Sequence, residues 1–353
     1  MPPGLLVRLR PAGPWRFGSD LGNRNDAGEL YHSDALFSAV TLAMRHLGRM
    51  DDWLRETALR ETAPAVRFSS CFPWQGDQLY VTPPRNLWLA AAAAQPGVRA
   101  ARFVPVGLTA DLVKGRPLRE QDWRVDPHSK CLLDRSAVPG SVFRPRLRTR
   151  AAVDRLTGSA VEVHRRAGVE FGANAGLWFV ASFDDESAER EWRAPVEFCL
   201  RLLADSGFGG ERACGWGRSE DPLLTAGHLP SLLGPALSEE QAPQPEETQP
   251  VETEKPAEAD PCTAYWLLSL FRPGAQDTVD WRQGSYALVT RGGRVDATGD
   301  AKKLLRMVAE GSVVCAKSPP DGSAADVAPA GFPHPVFRYG RPVCIPIPAR
   351  KAA

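Results

Sequence analysis

Several features that mark common protein classes are missing from this 353-residue sequence. Its longest apolar stretch, residues 87–94, is far too short to span a bilayer, and the first ten residues lack the apolar run of a signal peptide. The seven cysteines are odd in number and include no CxxC pair, so neither a disulfide framework nor a cysteine metal site is expected. We therefore expect a cytoplasmic protein with no membrane contact, metal or cofactor.

Two nucleotide-binding motifs are also missing. The sequence contains no Gly-Lys-Ser/Thr, which excludes a P-loop. A glycine-rich segment does occur at 207–217, but it follows a predicted amphipathic helix over 194–206, whereas a dinucleotide-binding motif follows a strand and opens a helix. The glycines therefore need another explanation.

What is present is the composition of a soluble globular protein, 43% hydrophobic and 24% charged, with a length that allows two domains. The net charge of +1 hides local clusters of arginine. A general excess of arginine over lysine has no functional meaning by itself, so arginine indicates nucleic-acid binding only where it is clustered.

Proline and glutamate dominate residues 238–261, where large apolar residues are nearly absent. Such a segment repels itself and cannot build a core, so it is predicted to be a disordered acidic linker. It divides the chain into a predicted N-terminal domain, 1–237, with an insertion at about 98–170, and a C-terminal domain, 262–353. The alternative is that the acidic segment is a long insertion within one unit.

The predicted elements belong to the α+β class, with antiparallel sheets. In the second part, a β-hairpin around Gly292 and Gly293, a helix over 301–309 and a strand at 311–315 give the order β-β-α-β, and a last strand follows at 342–347. This order is typical of ferredoxin-like and RNA-recognition folds. The first part contains similar elements with larger insertions; its predicted strands cover 4–10, 66–74, 78–82 and 176–183, and its helices begin near 33 and 195.

Arginine occupies every second position from Arg144 to Arg150, through Arg146 and Arg148. At the period of a strand these side chains lie on one face. A turn over 154–159, which contains Arg155, and a returning strand at 161–165 complete a protruding hairpin. A one-sided guanidinium row matches spaced phosphates, whereas an edge strand protected against aggregation needs only one or two charges.

Five glycines fall within eleven residues at 207–217. Glycine keeps positive φ accessible and has no Cβ, so backbone amides here are able to turn toward a partner. Arg212, Arg218 and Trp216 add guanidinium groups and an aromatic plane, which together suit a phosphodiester with stacked bases. The alternative is a tight turn between two elements.

A predicted helix starts at His32, Ser33 and Asp34. The free amides at the positive end of a helix are able to hold a phosphate. The alternative is an ordinary capped helix in which His32 has a structural role.

Five segments of the chain resemble, in the same order, motifs of one protein family: HSDALFSA at 32–39, FSSCFPW at 68–74, RTRAAVDRLTG at 148–158, the glycine-rich segment at 207–217, and FRYG at 337–340. The chain is thereby similar to the Csm subunit four family, the Cas-five-group RAMP proteins of type III-A CRISPR-Cas effector complexes in antiviral defence. It departs from the family at Ala35, where threonine is usual, and at Ala213 and Cys214, where serine is common.

This resemblance implies two ferredoxin-like (RRM-like) RAMP domains and a non-catalytic RNA-binding role in a ribonucleoprotein complex. The implied partners are the 5′ tag of the crRNA, the large Cas-ten subunit (Csm subunit one) and the backbone Csm subunit three, with indirect contact to target RNA. The hairpin would be the thumb that wedges between tag and guide nucleotides.

The expected RNA-binding residues come from the helix start, the hairpin, the glycine-rich segment and the terminal motif. For Trp216 and Tyr339, stacking on bases and packing in the core are both open. The residues are His32, Ser33, Arg144, Arg146, Arg148, Arg150, Arg155, Gly207, Gly209, Gly210, Arg212, Gly215, Trp216, Gly217, Arg218, Arg338 and Tyr339.

A second hypothesis is a RAMP endoribonuclease that processes precursor crRNA. It needs a general base, a general acid and a cation that stabilises the phosphorane. His32 is the one histidine at a suitable position, with Arg148 or Arg155 as the cation, and the sequence shows no matching acid. We therefore expect no catalytic residues. A third hypothesis is a protein-only scaffold in which the glycines merely form turns.

Overall fold

A computed structural model describes residues 1–18, 28–93, 95–136, 140–234, 237, 262–295 and 298–348. The helices are α1 Ser33–His46, α2 Met50–Glu56, α3 Arg85–Ala93, α4 Pro96–Arg99, α5 Val106–Val113 and α6 Glu186–Ser206. None of these described helices is long and apolar enough to cross a membrane.

The strands before residue 238 are β1 Pro3–Leu9, β2 Val66–Phe68, β3 Phe72–Gln75, β4 Gln78–Val81, β5 Val104–Pro105, β6 Trp123–Val125, β7 Leu132–Asp134, β8 Phe143–Val153, β9 Ala160–Phe171, β10 Ala175–Phe183 and β11 Leu223–His228. Those after residue 261 are β12 Thr263–Leu267, β13 Val279–Ser285, β14 Leu288–Arg291, β15 Leu305–Val308, β16 Val313–Ala316, β17 Ser323–Asp326, β18 Phe337–Gly340 and β19 Cys344–Ile347.

A seven-stranded sheet of order β11-β1-β10-β3-β4-β5 organises the first part, and β2 also pairs with β10. Strand β10 lies between β1 on one side and β2 and β3 on the other, all antiparallel. All nine of its residues are buried, which explains its almost uninterrupted apolar sequence. The strand predicted at 176–183 is therefore confirmed.

Helices α1 and α6 pack against each other and bury their apolar stripes. The predicted start of α1 is confirmed, but α6 begins at Glu186, nine residues before the predicted start at 195. The side chain of Asp185 caps it by accepting a hydrogen bond of 2.7 Å from the amide of Ala188. The buried stripe runs from Trp192 through Val196 to Leu203, so the helix continues through Pro195.

A four-stranded antiparallel sheet of order β13-β16-β12-β19 forms the second part. One of its faces, which includes Trp266, Val313 and Ile345, belongs to the same core cluster as the first sheet. A shared core follows from this, because the two parts bury apolar side chains against each other. The predicted linker lies outside the described residues, and the division into domains stays a prediction.

The helix predicted over 301–309 is wrong. Residues 305–308 form β15, which pairs antiparallel with β14, whereas the predicted hairpin had placed residues 294–296 opposite that strand. Leu304, Leu305 and Val308 have helical spacing, but burial of Met307 and Val308 on opposite faces of the ribbon favours the extended form. No helix occurs in the described residues after 261, although the α+β class with antiparallel sheets and a protruding hairpin is confirmed.

The predicted insertion contains more than the hairpin. Residues between β4 and β8 form a separate small core around Trp88, Val98, Leu112 and Leu132, built from α3, α4, α5 and the three short strands β5, β6 and β7. Strands β8 and β9 then leave this unit as one two-stranded sheet, and Val169 of β9 also forms an antiparallel bridge to Trp15.

Candidate nucleic-acid interface

The hairpin of β8 and β9 presents two chemically different faces. Its register places Arg144 opposite Glu170, Arg146 opposite Gly168, Arg148 opposite Arg166 and Arg150 opposite His164. Because opposite residues of an antiparallel pair share a face, all these side chains lie on one side, which we call the arginine face. The arginines at 144, 146, 148 and 150 are exposed along its whole length.

The arginine face has more positive than negative charge. Glu170 is the carboxylate nearest its base; Arg148 Nη2 lies 2.7 Å and Arg146 Nε 3.4 Å from its two oxygens. Exposed pairs of this kind contribute little to stability. Arg144, Arg150 and Arg155 have no ion-pair partner within the described part of the chain. Three guanidinium groups therefore remain available to an anion.

The other side of the hairpin, here called the reverse face, is exposed and mostly apolar, with Arg165 opposite Thr149 in its middle. Leu147, Val153 and Val163 alternate with the arginines along the two strands, and all three are largely exposed. Leu156 in the turn is almost completely exposed. An isolated two-stranded ribbon is marginally stable in water, so this face is expected to be covered in a larger assembly.

The glycine-rich segment supports the base of the hairpin. Trp216 is buried, and its ring lies over Gly168, where an added Cβ would be 2.5 Å from the ring atom Cζ3. The Arg148 guanidinium carbon lies 5.9 Å from the centroid of the Trp216 ring, and Arg166 Nε is 3.1 Å from Glu211 Oε1. The structure thus brings the hairpin and the glycine-rich segment together. Of the two roles left open for Trp216, the structure shows packing in the core.

The amides of this segment are largely used within the protein. Gly207 donates to the Leu203 carbonyl at 2.8 Å, Gly210 to Arg16 at 3.0 Å, Gly215 to Arg212 at 2.8 Å, and Gly217 to Pro14 at 2.9 Å. Positive φ occurs at Gly207, Gly209, Gly215 and Gly217, as expected. The amides of residues 207, 210, 215 and 217, however, donate hydrogen bonds to carbonyls of the chain itself. These four amides do not form a phosphate cradle; the side chain of Arg218 remains exposed.

The predicted site at the start of α1 is occupied by an internal ion pair. His32 Nδ1 lies 2.7 Å from Glu310 Oε1, and the Ser70 hydroxyl donates to the same oxygen. Burial raises the pKa of the Glu310 carboxyl, but the His32 ring and the Ser70 hydroxyl outweigh burial and hold that pKa below its ordinary value. The His32 side chain is only 13% exposed.

Ser33 is buried next to this pair. Its hydroxyl accepts a hydrogen bond of 3.1 Å from the amide of Leu270, and its own amide donates to Ser70 Oγ at 2.9 Å. Ser33 therefore holds the start of α1 against the second part of the chain, where no phosphate reaches it.

Asp34 is completely buried between two arginines. Arg291 reaches it with Nη2 at 2.9 Å and Nε at 3.1 Å, and Arg338 Nη1 binds the oxygen Oδ2. Burial raises the pKa of Asp34, but the two guanidinium groups outweigh it and hold the pKa far below its ordinary value. Arg338 is thus part of a buried charge network.

Tyr339, the residue after Arg338, is also buried. Its ring stacks on Phe37 with centroids 3.9 Å apart, and its hydroxyl donates to the Val66 carbonyl at 2.6 Å. Burial raises the pKa of this hydroxyl. Tyr339 therefore packs in the core. Because Ser33, Arg338 and Tyr339 are buried, we leave them out of the proposed RNA-binding surface.

Sequence reasoning missed Arg166 on the arginine face, and Glu310 and Arg291 at the start of α1. Arg166 stands on the returning strand, and only the register of the hairpin places it opposite Arg148. Once the turn at 154–159 is assigned, the alternation of residues 164, 166, 168 and 170 along β9 predicts that they lie on the arginine face. Within the described residues, no three or more His, Cys, Asp or Glu side chains are grouped as a metal site.

Comparison with known proteins completes the description of the site. Residues 261–347 match the family model described as the CRISPR Csm4 C-terminal domain. No curated protein matches the chain by sequence.

Solved structures are similar over nearly the whole chain. A chain of the Csm3-Csm4 subcomplex in the type III-A CRISPR-Cas interference complex has a TM-score of 0.62 and 16% identity, covering 98% of this chain and 99% of that chain. A chain of the Csm1-Csm4 cassette in complex with cA4 has a TM-score of 0.55 and 15% identity, with 98% of each chain covered. At such identity the likeness shows the fold alone, and the predicted α+β class with antiparallel sheets agrees with it.

Proposed function

We propose that the chain is a member of the Csm4 family and the non-catalytic crRNA-binding subunit of a type III-A CRISPR interference complex. It holds the 5′ tag of the crRNA and joins the large Cas-ten subunit to the backbone subunits in the cytoplasm. The observation that carries the proposal is the arginine face of the β8–β9 hairpin.

Spacing and exposure make this face suitable for a nucleic-acid backbone. Alternate residues of a strand are about 7 Å apart, so four guanidinium groups form an evenly spaced row. In the described chain Arg144, Arg150 and Arg155 have no ion-pair partner, and Arg166, which pairs with Glu211, extends the row onto β9. Guanidinium forks bind phosphate oxygens in pairs, and several such contacts give binding that depends steeply on salt.

The reverse face supports a place for the hairpin between RNA and protein. Its apolar side chains and the exposed Leu156 at the turn are able to lie against bases or against a neighbouring subunit. The similar solved structures are Csm3-Csm4 and Csm1-Csm4 assemblies, and we carry these two partners over to the present chain. The hairpin is then the thumb that separates tag from guide nucleotides.

The non-catalytic part of the proposal is supported by the surroundings of His32. Its Nδ1 faces the buried Glu310, as in a structural ion pair, and the ring is mostly covered. A general base must reach the proton that it removes, and a side chain that is only 13% exposed has little access to an RNA. The cations of the nuclease hypothesis, Arg148 and Arg155, lie on the hairpin.

A salt titration of RNA binding tests the proposal. We expect Arg148→Ala with Arg150→Ala to weaken binding of a tagged crRNA and to lower the slope of log affinity against log salt by about one per lost phosphate contact. The measurement is fluorescence anisotropy of a labelled crRNA at several salt concentrations.

Arg99→Ala with Arg190→Ala is the matched control, because both arginines are exposed on helices away from the hairpin. An unchanged slope in the hairpin variant would count against the arginine face. The same preparations are incubated with precursor crRNA. Cleavage that is present in the wild type and lost in His32→Ala would replace the scaffold with the nuclease hypothesis.

A further inference from the structure

A cleft of about 510 Å³ lies between the two parts of the chain, at the end of β10 that is farther from the hairpin. Its volume is in the range of sites that hold small molecules. Ser182 and Asp184 line it from the first part, and Tyr265 and Asp321 line it from the second. Among the described residues that line it, none belongs to the arginine face or to the glycine-rich segment.

One wall of the cleft carries two carboxylates on a single guanidinium group. Arg67 Nη1 donates to Asp184 Oδ1 at 3.0 Å, and Arg67 Nη2 donates to Asp321 Oδ1 at 2.8 Å. The two Oδ2 oxygens accept no hydrogen bond within the described chain. Arg341 and Asp277 lie nearby and balance each other, so the local charge is negative by one. This charge favours a cation as the ligand.

Ser182 stands beside these charges. It lies opposite Arg67 in the pairing of β2 with β10, so the two side chains share a face of the sheet. Ser182 is only 4% exposed and lines the cleft, and its hydroxyl has no hydrogen-bond partner in the part of the chain that the structure describes. A buried hydroxyl without a partner costs free energy, and a ligand in the cleft recovers it.

The rest of the wall is apolar. Leu229, Val343 and Ile345 line the cleft and are buried, and many of the other lining residues are prolines. Proline has no amide N–H, so this wall offers few backbone donors to an anion. The guanidinium group of Arg67 already binds two carboxylates. The ring of Tyr265 adds an aromatic surface, whose face attracts a cation.

We propose that the cleft binds a primary ammonium group carried on an aliphatic chain. The three N–H donors of such a group match three acceptors, which are the Oδ2 oxygens of Asp184 and Asp321 and the hydroxyl of Ser182. The apolar wall covers the aliphatic chain. A free diamine and a lysine side chain share this chemistry. The inference goes beyond the proposed function, because the cleft requires neither RNA nor another subunit.

The test is isothermal titration of the full chain with cadaverine, an aliphatic diamine of the length of a lysine side chain. Pentanol and hexanoate are the ligand controls, since they keep a similar chain and lack the cation. We expect cadaverine to bind at least about tenfold more tightly than either control, because hydrogen bonds to a charged group are the stronger ones. A parallel titration uses Nα-acetyl-lysine amide. Tighter binding of this compound than of cadaverine assigns the cleft to a lysine side chain, and the reverse order assigns it to a free amine.

Two variants remove the proposed acceptors without removing bulk from the core. We expect Ser182→Ala to weaken the binding of cadaverine about three- to tenfold and Asp184→Asn to weaken it about tenfold or more. Asparagine keeps an oxygen for Arg67, and Asp184 is partly exposed, so the fold is retained. Asp221→Asn is the matched control, because Asp221 also pairs with an arginine, Arg201, but lies on the surface outside the cleft.

Three results would overturn the inference. Wild-type affinity for cadaverine in either cleft variant would show that the diamine binds to acidic residues elsewhere on the chain. Tighter binding of hexanoate than of cadaverine would assign the cleft to an anion. Absence of cadaverine binding by the wild type would leave the cleft without this ligand. The crRNA titration is independent of all three results.

Discussion

At the scale of single residues, Gly168 decides how the hairpin meets the body of the protein. The Trp216 ring occupies the space that a side chain at 168 would fill, and the Trp15 carbonyl lies 3.0 Å from the same point. Two rigid neighbours leave an added methyl group no room. The position thus requires glycine for close packing, because its backbone is that of an ordinary strand.

We therefore expect Gly168→Ala to lower the free energy of unfolding by about 1–3 kcal/mol, as overpacking usually does. The measurement is denaturant unfolding followed by tryptophan fluorescence. Gly107→Ala is the control, since nothing lies within 4 Å of a Cβ added there and alanine is the better residue in α5. Equal stability of Gly168→Ala and wild type would show that the ring moves aside freely.

At the scale of elements, the arginine face of the hairpin stays accessible to an anion although a carboxylate lies beside it. Glu170 holds two of its arginines, so the carboxylate competes with any phosphate that approaches the base of the face. The pairs are partly exposed and weak, so the RNA of the proposed function would be able to displace them.

We expect Glu170→Gln to raise the affinity for crRNA about two- to fivefold at low salt, because an exposed ion pair contributes up to about 1 kcal/mol. Anisotropy with the labelled crRNA measures this change. Glu197→Gln is the matched control, since Glu197 also pairs with two arginines, Arg193 and Arg201, but on α6. Lower affinity in Glu170→Gln would mean that the carboxylate positions the arginines for RNA.

Elements were predictable where one local pattern decides them. Period two along β8 and the apolar run of β10 identify those strands, and the apolar spacing of α1 identifies that helix. Strand β15 was not predictable, because its leucines and valine suit a helix and only pairing with β14 makes the segment extended. The early start of α6 was missed because Pro195 suggested a boundary that the buried stripe overrides.

At the scale of the whole molecule, the motifs that carry the family resemblance join the two parts of the chain. Asp34 binds residues 257 and 304 positions away, and Phe37 stacks on Tyr339. Spacing within one sequence does not encode such contacts, and for this reason Arg338 and Tyr339 are predicted from the sequence as RNA-binding residues. The exposed hairpin arginines were predictable because their pattern is local.

This network makes the stability of the molecule depend on pH. The pKa of Asp34 is lower in the folded state than in the unfolded chain, where it is about 4. Its contribution is therefore fully present above about pH 4 and is lost as pH falls toward the folded-state pKa. Glu310, whose pKa is also lowered, acts in the same direction.

We expect Asp34→Asn to lower the free energy of unfolding at pH 7 by about 3–5 kcal/mol, because it leaves Arg291 and Arg338 buried without their anion. Between about pH 4 and pH 2 the variant should lose less stability than the wild type, since one titrating group is gone. Urea unfolding across this pH range measures both effects, with Asp52→Asn, which alters an exposed pair to Arg55, as the control. A variant whose stability at pH 7 matches the wild type, or falls equally steeply in acid, would show that the two parts are held by apolar packing alone.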